Sequence, residues 1–324
     1  MYRTSLLYLL IVIIVGLGVF TWKSHDNTAD PISAAQPSAS RTPRQTPSTV
    51  HQAPRLHFVT DTGLPYQVRI TQLRHTLATG CSEPEIRFLY QLLKDTPPKS
   101  ELLEHWYVIA NDIMTQILSH ETDSRRFCEN FTGLLNSPRQ PEVIRDYAVQ
   151  HLADWLNPRS SQATAARLPV ASSEIADQVL RDFATAAIDP SLEKTSIPGT
   201  ILMMLVDLKR SGSEVDCNNA IITLKPWLTQ ALQDQSPLGN PIRVSAVVAA
   251  GILAPEEFRP LIRNIAYEEN SDSSLRLPAI AAIGHAGDAA DLPNLNKIAS
   301  ASPELSYAAQ DAAIALTSRL NASH

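Results

Sequence analysis

The 324-residue chain, 44% hydrophobic, is long enough to bury a large core in one extended domain or two compact ones. Its charge is uneven. Arg3, Lys23, Arg41, Arg44 and Arg55 precede residue 57, together with only Asp26 and Asp30, so the remainder holds 22 basic against 31 acidic side chains. That excess of acid, with no basic run beyond Arg125–Arg126 and Lys209–Arg210, excludes nonspecific nucleic-acid binding as a role for the body of the chain.

Residues 4–22, TSLLYLLIVIIVGLGVFTW, carry no charge between Arg3 and Lys23 and approach the roughly 20 residues that span a bilayer as a helix. A cleaved signal peptide would need a shorter apolar core and small residues soon after it. Here Phe20, Thr21, Trp22 and Lys23 end the run, and Ser33, Ala34 and Ala35 lie well beyond. Residues 1–23 therefore read as an uncleaved transmembrane anchor, with a cleaved signal and a buried core helix as the competing readings. Trp22 would sit at the membrane interface. The flanking charges are nearly balanced, and the short tail is assigned to the cytoplasm of a bacterial cell. The rest then lies in the periplasm, the alternatives being a cytoplasmic-facing or a cleaved and secreted domain.

Residues 24–56 place Pro31, Pro37, Pro43, Pro47 and Pro54 among Ser, Thr, Ala and Gln with no apolar period. Such a segment has too little to bury to offset its ordering entropy, and it is expected to be a disordered linker.

From about Leu64 the pattern is one of amphipathic helices of 10 to 20 residues parted by Pro, Gly, Asp or Ser, with no strand period, so residues 57–324 are expected to be all-α. Within it a unit repeats. Pro226, Pro260 and Pro293 recur at 34 and 33 residues, each followed two places on by Leu228, Ile262 or Leu295. Arg243, Ala246 and Ala249 return at an offset of 33 as Arg276, Ala279 and Ala282, and again as Ala309, Ala312 and Ala315. Ala246, Ala249, Ala250 and Leu253 share one helix face, where small side chains let helices pack close. The three prolines predict a bent or late-starting first helix in each unit, and Pro278 predicts a helix beginning just before it.

The stretch RPLIRNIAYEENSDSSLRLPAIAAIGHAGD resembles HEAT repeats, including those of bilin-lyase-like HEAT families. The resemblance holds well over 221–320 and more loosely before. SRRFCENFTGLLNSPRQPEVIRDYAVQHLADWL keeps Arg145 and Ala148 in the R-x-x-A placement. EPEIRFLYQLLKDTPPKSELLEHWYVIANDIMTQIL and SEIADQVLRDFATAAIDPSLEKTSIPGTILMMLVDL fit by length but lack the arginine. The resemblance implies an α/α superhelix, a HEAT-like solenoid of about six helix pairs capped by LPYQVRITQLRHTLATG, with the arginine-bearing helices lining the concave side. It also implies that Arg145, Arg243 and Arg276 bond an acidic group of a neighbouring unit, rather than forming a ladder that reads carboxylates of a ligand.

Chemistry-bearing residues are present without a known pattern. Cys81, Cys128 and Cys217 form no C-x-x-C motif. They read as free packed thiols, or as one Cys81–Cys128 disulfide plus a free thiol. His75, His105, His120, His151 and His285 fall in no HExxH and at no ligand spacing. Glu256, Glu257, Glu268, Glu269 and Asp272 read as a solvated face, or as a site for a cation or a basic partner. No catalytic, cofactor or metal residue is assigned, and no small-molecule substrate is evident. The expected role is a membrane-tethered protein-interaction scaffold; an enzyme or enzyme subunit of the bilin-lyase-like kind is the alternative.

Overall fold

The computed structural model describes residues 54–157, 168, 172–212 and 215–322. The segment 4–22 read as an anchor, and nearly all of the linker, lie outside these residues; no helix among the described residues is long and apolar enough to cross a membrane. The described chain is helical and carries no strand. A short 3-10 helix over Pro54–Thr60 opens it, three residues inside the segment expected to be linker, because Leu56 and Val59 are buried against the first α-helix.

Thirteen α-helices follow among the described residues: α1 (Tyr66–Leu77), α2 (Glu83–Lys94), α3 (Leu103–His120), α4 (Ser124–Asn136), α5 (Glu142–Leu156), α6 (Ser173–Ala187), α7 (Ile197–Ser211), α8 (Asn218–Leu232), α9 (Asn240–Leu253), α10 (Pro255–Tyr267), α11 (Ser273–Ala286), α12 (Leu292–Ala301) and α13 (Ser306–Ala322). Local chemistry sets their ends. Ser82 and Glu85 form a reciprocal capping box at α2, and the Asp123 carboxylate accepts from the Arg126 amide at α4. Gly212 stops α7 in a left-handed conformation, φ 63°, that glycine adopts without a Cβ clash.

The helices pair as α2 with α3, α4 with α5, α6 with α7, α8 with α9, α10 with α11 and α12 with α13. Odd-numbered helices also pack on one another from α1 to α13, and even-numbered ones from α4 to α10, giving two rows with the core between them. Small residues set the spacing in the odd row. Ala246, Ala279 and Ala312 occupy matching buried places, at 0%, 0% and 4% exposure. A Cβ on Gly251 would stand 2.7 Å from the Ala282 methyl carbon, and one on Gly284 would stand 2.9 Å from the Ala312 Cα. At the next register position Thr317 is exposed, on the side of α13 that no further described helix covers.

The prolines behave differently from one another. Pro293 lies in the first turn of α12, where a missing donor costs nothing, so that helix starts late as expected. Pro226 and Pro260 lie inside α8 and α10, and Pro278 lies inside α11, which begins at Ser273 rather than just before the proline. Asp272 explains the earlier start: its carboxylate accepts from the Ser274 amide at 2.8 Å and fixes the first turn ahead of Pro278.

Candidate interaction surface

Each middle helix of the odd row packs on helices along the row and in the even row, and no described helix covers its remaining side. For α9 these are α7, α11 and the pair formed by α8 and α10. Its uncovered side carries Val244, Ser245, Val248 and Ile252, half-buried and spaced by one helical turn, beside the fully packed Ala246, Ala249 and Ala250. The matching sides present Met203, Met204 and Asp207 on α7, and Leu277, Ala281 and His285 on α11. On α5 they present Val143, Tyr147 and Gln150. The sequence reading missed this stripe because it singled out charged and small residues. The signal was the apolar position beside each small-residue position, as in Val248 next to Ala249.

Carboxylates on this row are held by the fold. Asp146 on α5 accepts from Gln150 Nε2 at 2.9 Å and Ser196 Oγ at 3.4 Å, and burial raises its pKa against those bonds. The neighbouring Glu142 accepts from the Ser196 amide at 2.7 Å, placing a negative charge at the start of α7 where the helix dipole favours it. Burial also raises the Asp207 pKa, with the Arg210 charge opposing.

The arginines of the repeat do not bond acids. Arg145 Nε donates to the Leu135 carbonyl at 2.7 Å. Arg243 donates to the carbonyls of Ala231 at 2.9 Å and Gln233 at 2.8 Å, and Arg276 donates to that of Ala266 at 3.4 Å. Each reaches back to the end of the preceding helix, where orphan carbonyls and the negative end of the dipole attract a cation. Arg69 does the same for the opening 3-10 helix through Val59, at 3.2 Å. The expectation of an acidic partner therefore fails for these residues. Other arginines make such bonds between units. Arg263 on α10 donates to Asp288 and Asp291, both at 2.7 Å, and the Tyr267 hydroxyl donates to Asp291 at 2.8 Å. Arg126 on α4 bonds Glu83 of α2, and also Glu121, which accepts from Tyr90 at 2.9 Å. Burial opposes charge on Glu121, but Arg126 and the amides of Asp123 and Thr122 hold its carboxyl below the usual range.

The five histidines do not converge. His75 is exposed on α1, and His105 stacks on Tyr66 with ring centroids 4.3 Å apart. His120 is half-buried at the end of α3, and His285 is exposed near the end of α11. His151 is 3% exposed beneath α3, with Nε2 3.0 Å from Asn111 Oδ1, and burial pushes its pKa down to about 4. The acidic residues separate too. Glu256 pairs with Arg259 and Glu257 with Lys225, both at 2.5 Å, at the start of α10. Glu268 and Glu269 lie past its other end, roughly 18 Å along the axis at 1.5 Å per residue, and Asp272 serves as the α11 cap. No cluster of three or more potential metal ligands occurs among the described residues.

All three thiols are free. Burial pushes the pKa of Cys81 and Cys128 up to about 12 and that of Cys217 up to about 11. Cys128 borders a cleft of about 230 Å³ between α4 and α6, where Glu129 and Asp182 further disfavour its thiolate. Comparison of the chain with protein-family profiles, curated proteins and solved structures finds no match.

Proposed function

We propose that the chain is a membrane-tethered protein-binding scaffold. In this reading residues 4–22 hold it to a bacterial inner membrane, residues 24–53 act as a flexible linker, and the helical pairs form a HEAT-like α/α solenoid in the periplasm. The observation that carries the proposal is the largely apolar stripe on α7, α9 and α11, interrupted by Asp207, Ser245 and His285, that no described helix covers. Stacked helix pairs present such a stripe from one pair to the next, and it suits an extended partner better than a small substrate. Its half-buried Met203 and Met204 are adaptable side chains of the kind that protein-binding grooves use. The anchor would raise the effective concentration of the array for partners in or near the same membrane. The role is non-enzymatic: it needs binding and no reacting group.

A photo-crosslinking residue placed at Val248, in the full chain in its membrane, tests this reading. The expected result is a discrete set of protein adducts from Val248 and none from the equally modified Ile222, which is 61% exposed on the even-numbered helix α8. Adducts from Ile222 alone would contradict it.

A further inference from the structure

The entry to α3, from the end of the preceding loop to the first helical residue, inverts the ordinary placement of side chains. Within Ser100-Glu101-Leu102-Leu103, the charged residue points inward and the leucines point out. Glu101 lies 2.6 Å from Arg69, and their side chains are only 3% and 2% exposed. Leu102 and Leu103 are 60% and 54% exposed, the only adjacent pair among the large exposed hydrophobic residues described. What sets them apart from singly exposed leucines, which are ordinary on a protein surface, is that they are adjacent and form one contiguous apolar patch.

Their position is fixed with respect to the start of the domain. Arg69, which holds Glu101, also donates to the Val59 carbonyl in the opening 3-10 helix, and Thr62 Oγ1 lies 2.7 Å from Ser100 Oγ. The buried Leu56 and Val59 pin that opening helix in turn. The residues just before the leucine pair are therefore tied, through Arg69 and Thr62, to the opening segment of the described domain, which follows residues 1–53 and their uncharged apolar run 4–22.

We infer that Leu102 and Leu103 enter the interfacial region of the lipid bilayer, docking this end of the domain on the membrane. The inference rests on the tethered reading of residues 4–22. Two leucines cover far less than the about 800 Å² that each side of a specific protein interface buries, which argues against a protein occupant. They are also too few to hold a soluble protein to lipid unaided, since stable attachment takes two signals. A covalently linked anchor supplies the other signal, because the tether keeps the patch at high effective concentration near the surface. Lys99 and Glu104, both exposed beside the pair, offset one another, so the apolar contact of the leucines carries the docking. Docking would convert a domain swinging on a linker that reaches about 30 Å on average into one held at a set orientation.

The test uses the full chain with Cys81→Ser and Leu103→Cys, labelled with a polarity-sensitive fluorophore and reconstituted into vesicles of phosphatidylethanolamine and phosphatidylglycerol. The same label at Ile222→Cys is the control. Expected are a blue shift at position 103 and at least a twofold loss of intensity when the lipids carry a headgroup-proximal nitroxide, with neither change at position 222. Vesicles that float with the protein while position 103 stays unquenched would overturn the docking and leave the tether standing. A blue shift without quenching would assign the pair to a protein or a second copy of the chain, and equally overturns it. Protein that does not float with the vesicles would refute the tether, and the docking with it.

Discussion

Gly251 on α9 faces the Ala282 methyl of α11 so closely that a Cβ added to the glycine would stand 2.7 Å from it, well inside van der Waals contact. Neither partner is the end of a flexible side chain, so the two helices themselves would have to part. Gly251→Ala should destabilise the domain by about 1–3 kcal/mol despite alanine's better helix propensity. Gly133→Ala is the internal control: a methyl added to this exposed glycine in α4 would meet nothing within 4 Å, so the change should stabilise by about 0.5–1 kcal/mol. Urea unfolding of both variants checks the pair, and adding Ala282→Gly to Gly251→Ala should recover part of the loss.

His151 gives a pH dependence whose sign is fixed by burial. Its pKa is about 4 in the folded protein and near 6.5 when exposed, so the unfolded chain binds a proton first as pH falls. Stability contributed by the neutral ring is complete above about pH 6.5 and is lost progressively down to about pH 4, a total of about 3 kcal/mol. Comparing unfolding free energies of the native chain and His151→Gln across that range isolates the effect from the carboxylates, which titrate alike in both proteins. The difference should change with pH over this window and be flat above it.

Arg243 bonds two main-chain carbonyls at the end of α8, so its replacement by Met should cost about 1–2 kcal/mol. Lys should restore only part of this, since an ammonium cannot serve two carbonyls in the planar geometry of a guanidinium. Because the acceptors are backbone carbonyls at a helix end rather than a carboxylate, salt should reduce the loss less than it reduces that of an exposed ion pair. Thermal melts of Arg243→Met and Arg243→Lys at two ionic strengths distinguish this from an ion pair, which salt would weaken more.

With three free thiols, no loop-closing crosslink contributes to stability. Reductant should leave the melting temperature unchanged within a degree or so. At pH 7.5 the native protein should react slowly with maleimide at all three positions, because burial disfavours every thiolate.

The period of 33 to 34 residues, the alanine face and the spacing of turn residues were enough to read an all-α chain and to mark out the helix pairs, because packing of small residues against the next helix leaves a direct trace in sequence. What lay beyond reach depends on geometry between elements. The R-x-x-A placement locates Arg145 or Arg243 in the first turn of a helix, but only the turn before it decides whether the guanidinium meets an acid or the carbonyls of the previous helix. Pro278 looked like a helix start because a proline marks a boundary more often than an interior. The Asp272 cap, six residues earlier, overrode it. His151 carried a signal that went unused: it lies three residues after Ala148 and four before Trp155, on the buried face of α5. Leu102 and Leu103 carried none, since two leucines at a helix start ordinarily point inward.

Whether the uncovered side of α9 is occupied where the protein works decides the scaffold reading. In a Cys81→Ser background, Val248→Cys and Ile222→Cys are labelled with a membrane-impermeant maleimide, first in spheroplasts and then in the purified full chain. A scaffold with a bound partner predicts that position 222 reacts at the same rate in both, while position 248 reacts at least several-fold more slowly in spheroplasts than after purification. Equal rates at position 248 in the two settings would contradict an occupied surface, and a chain that reacts at neither position until the membrane is broken would contradict the periplasmic orientation.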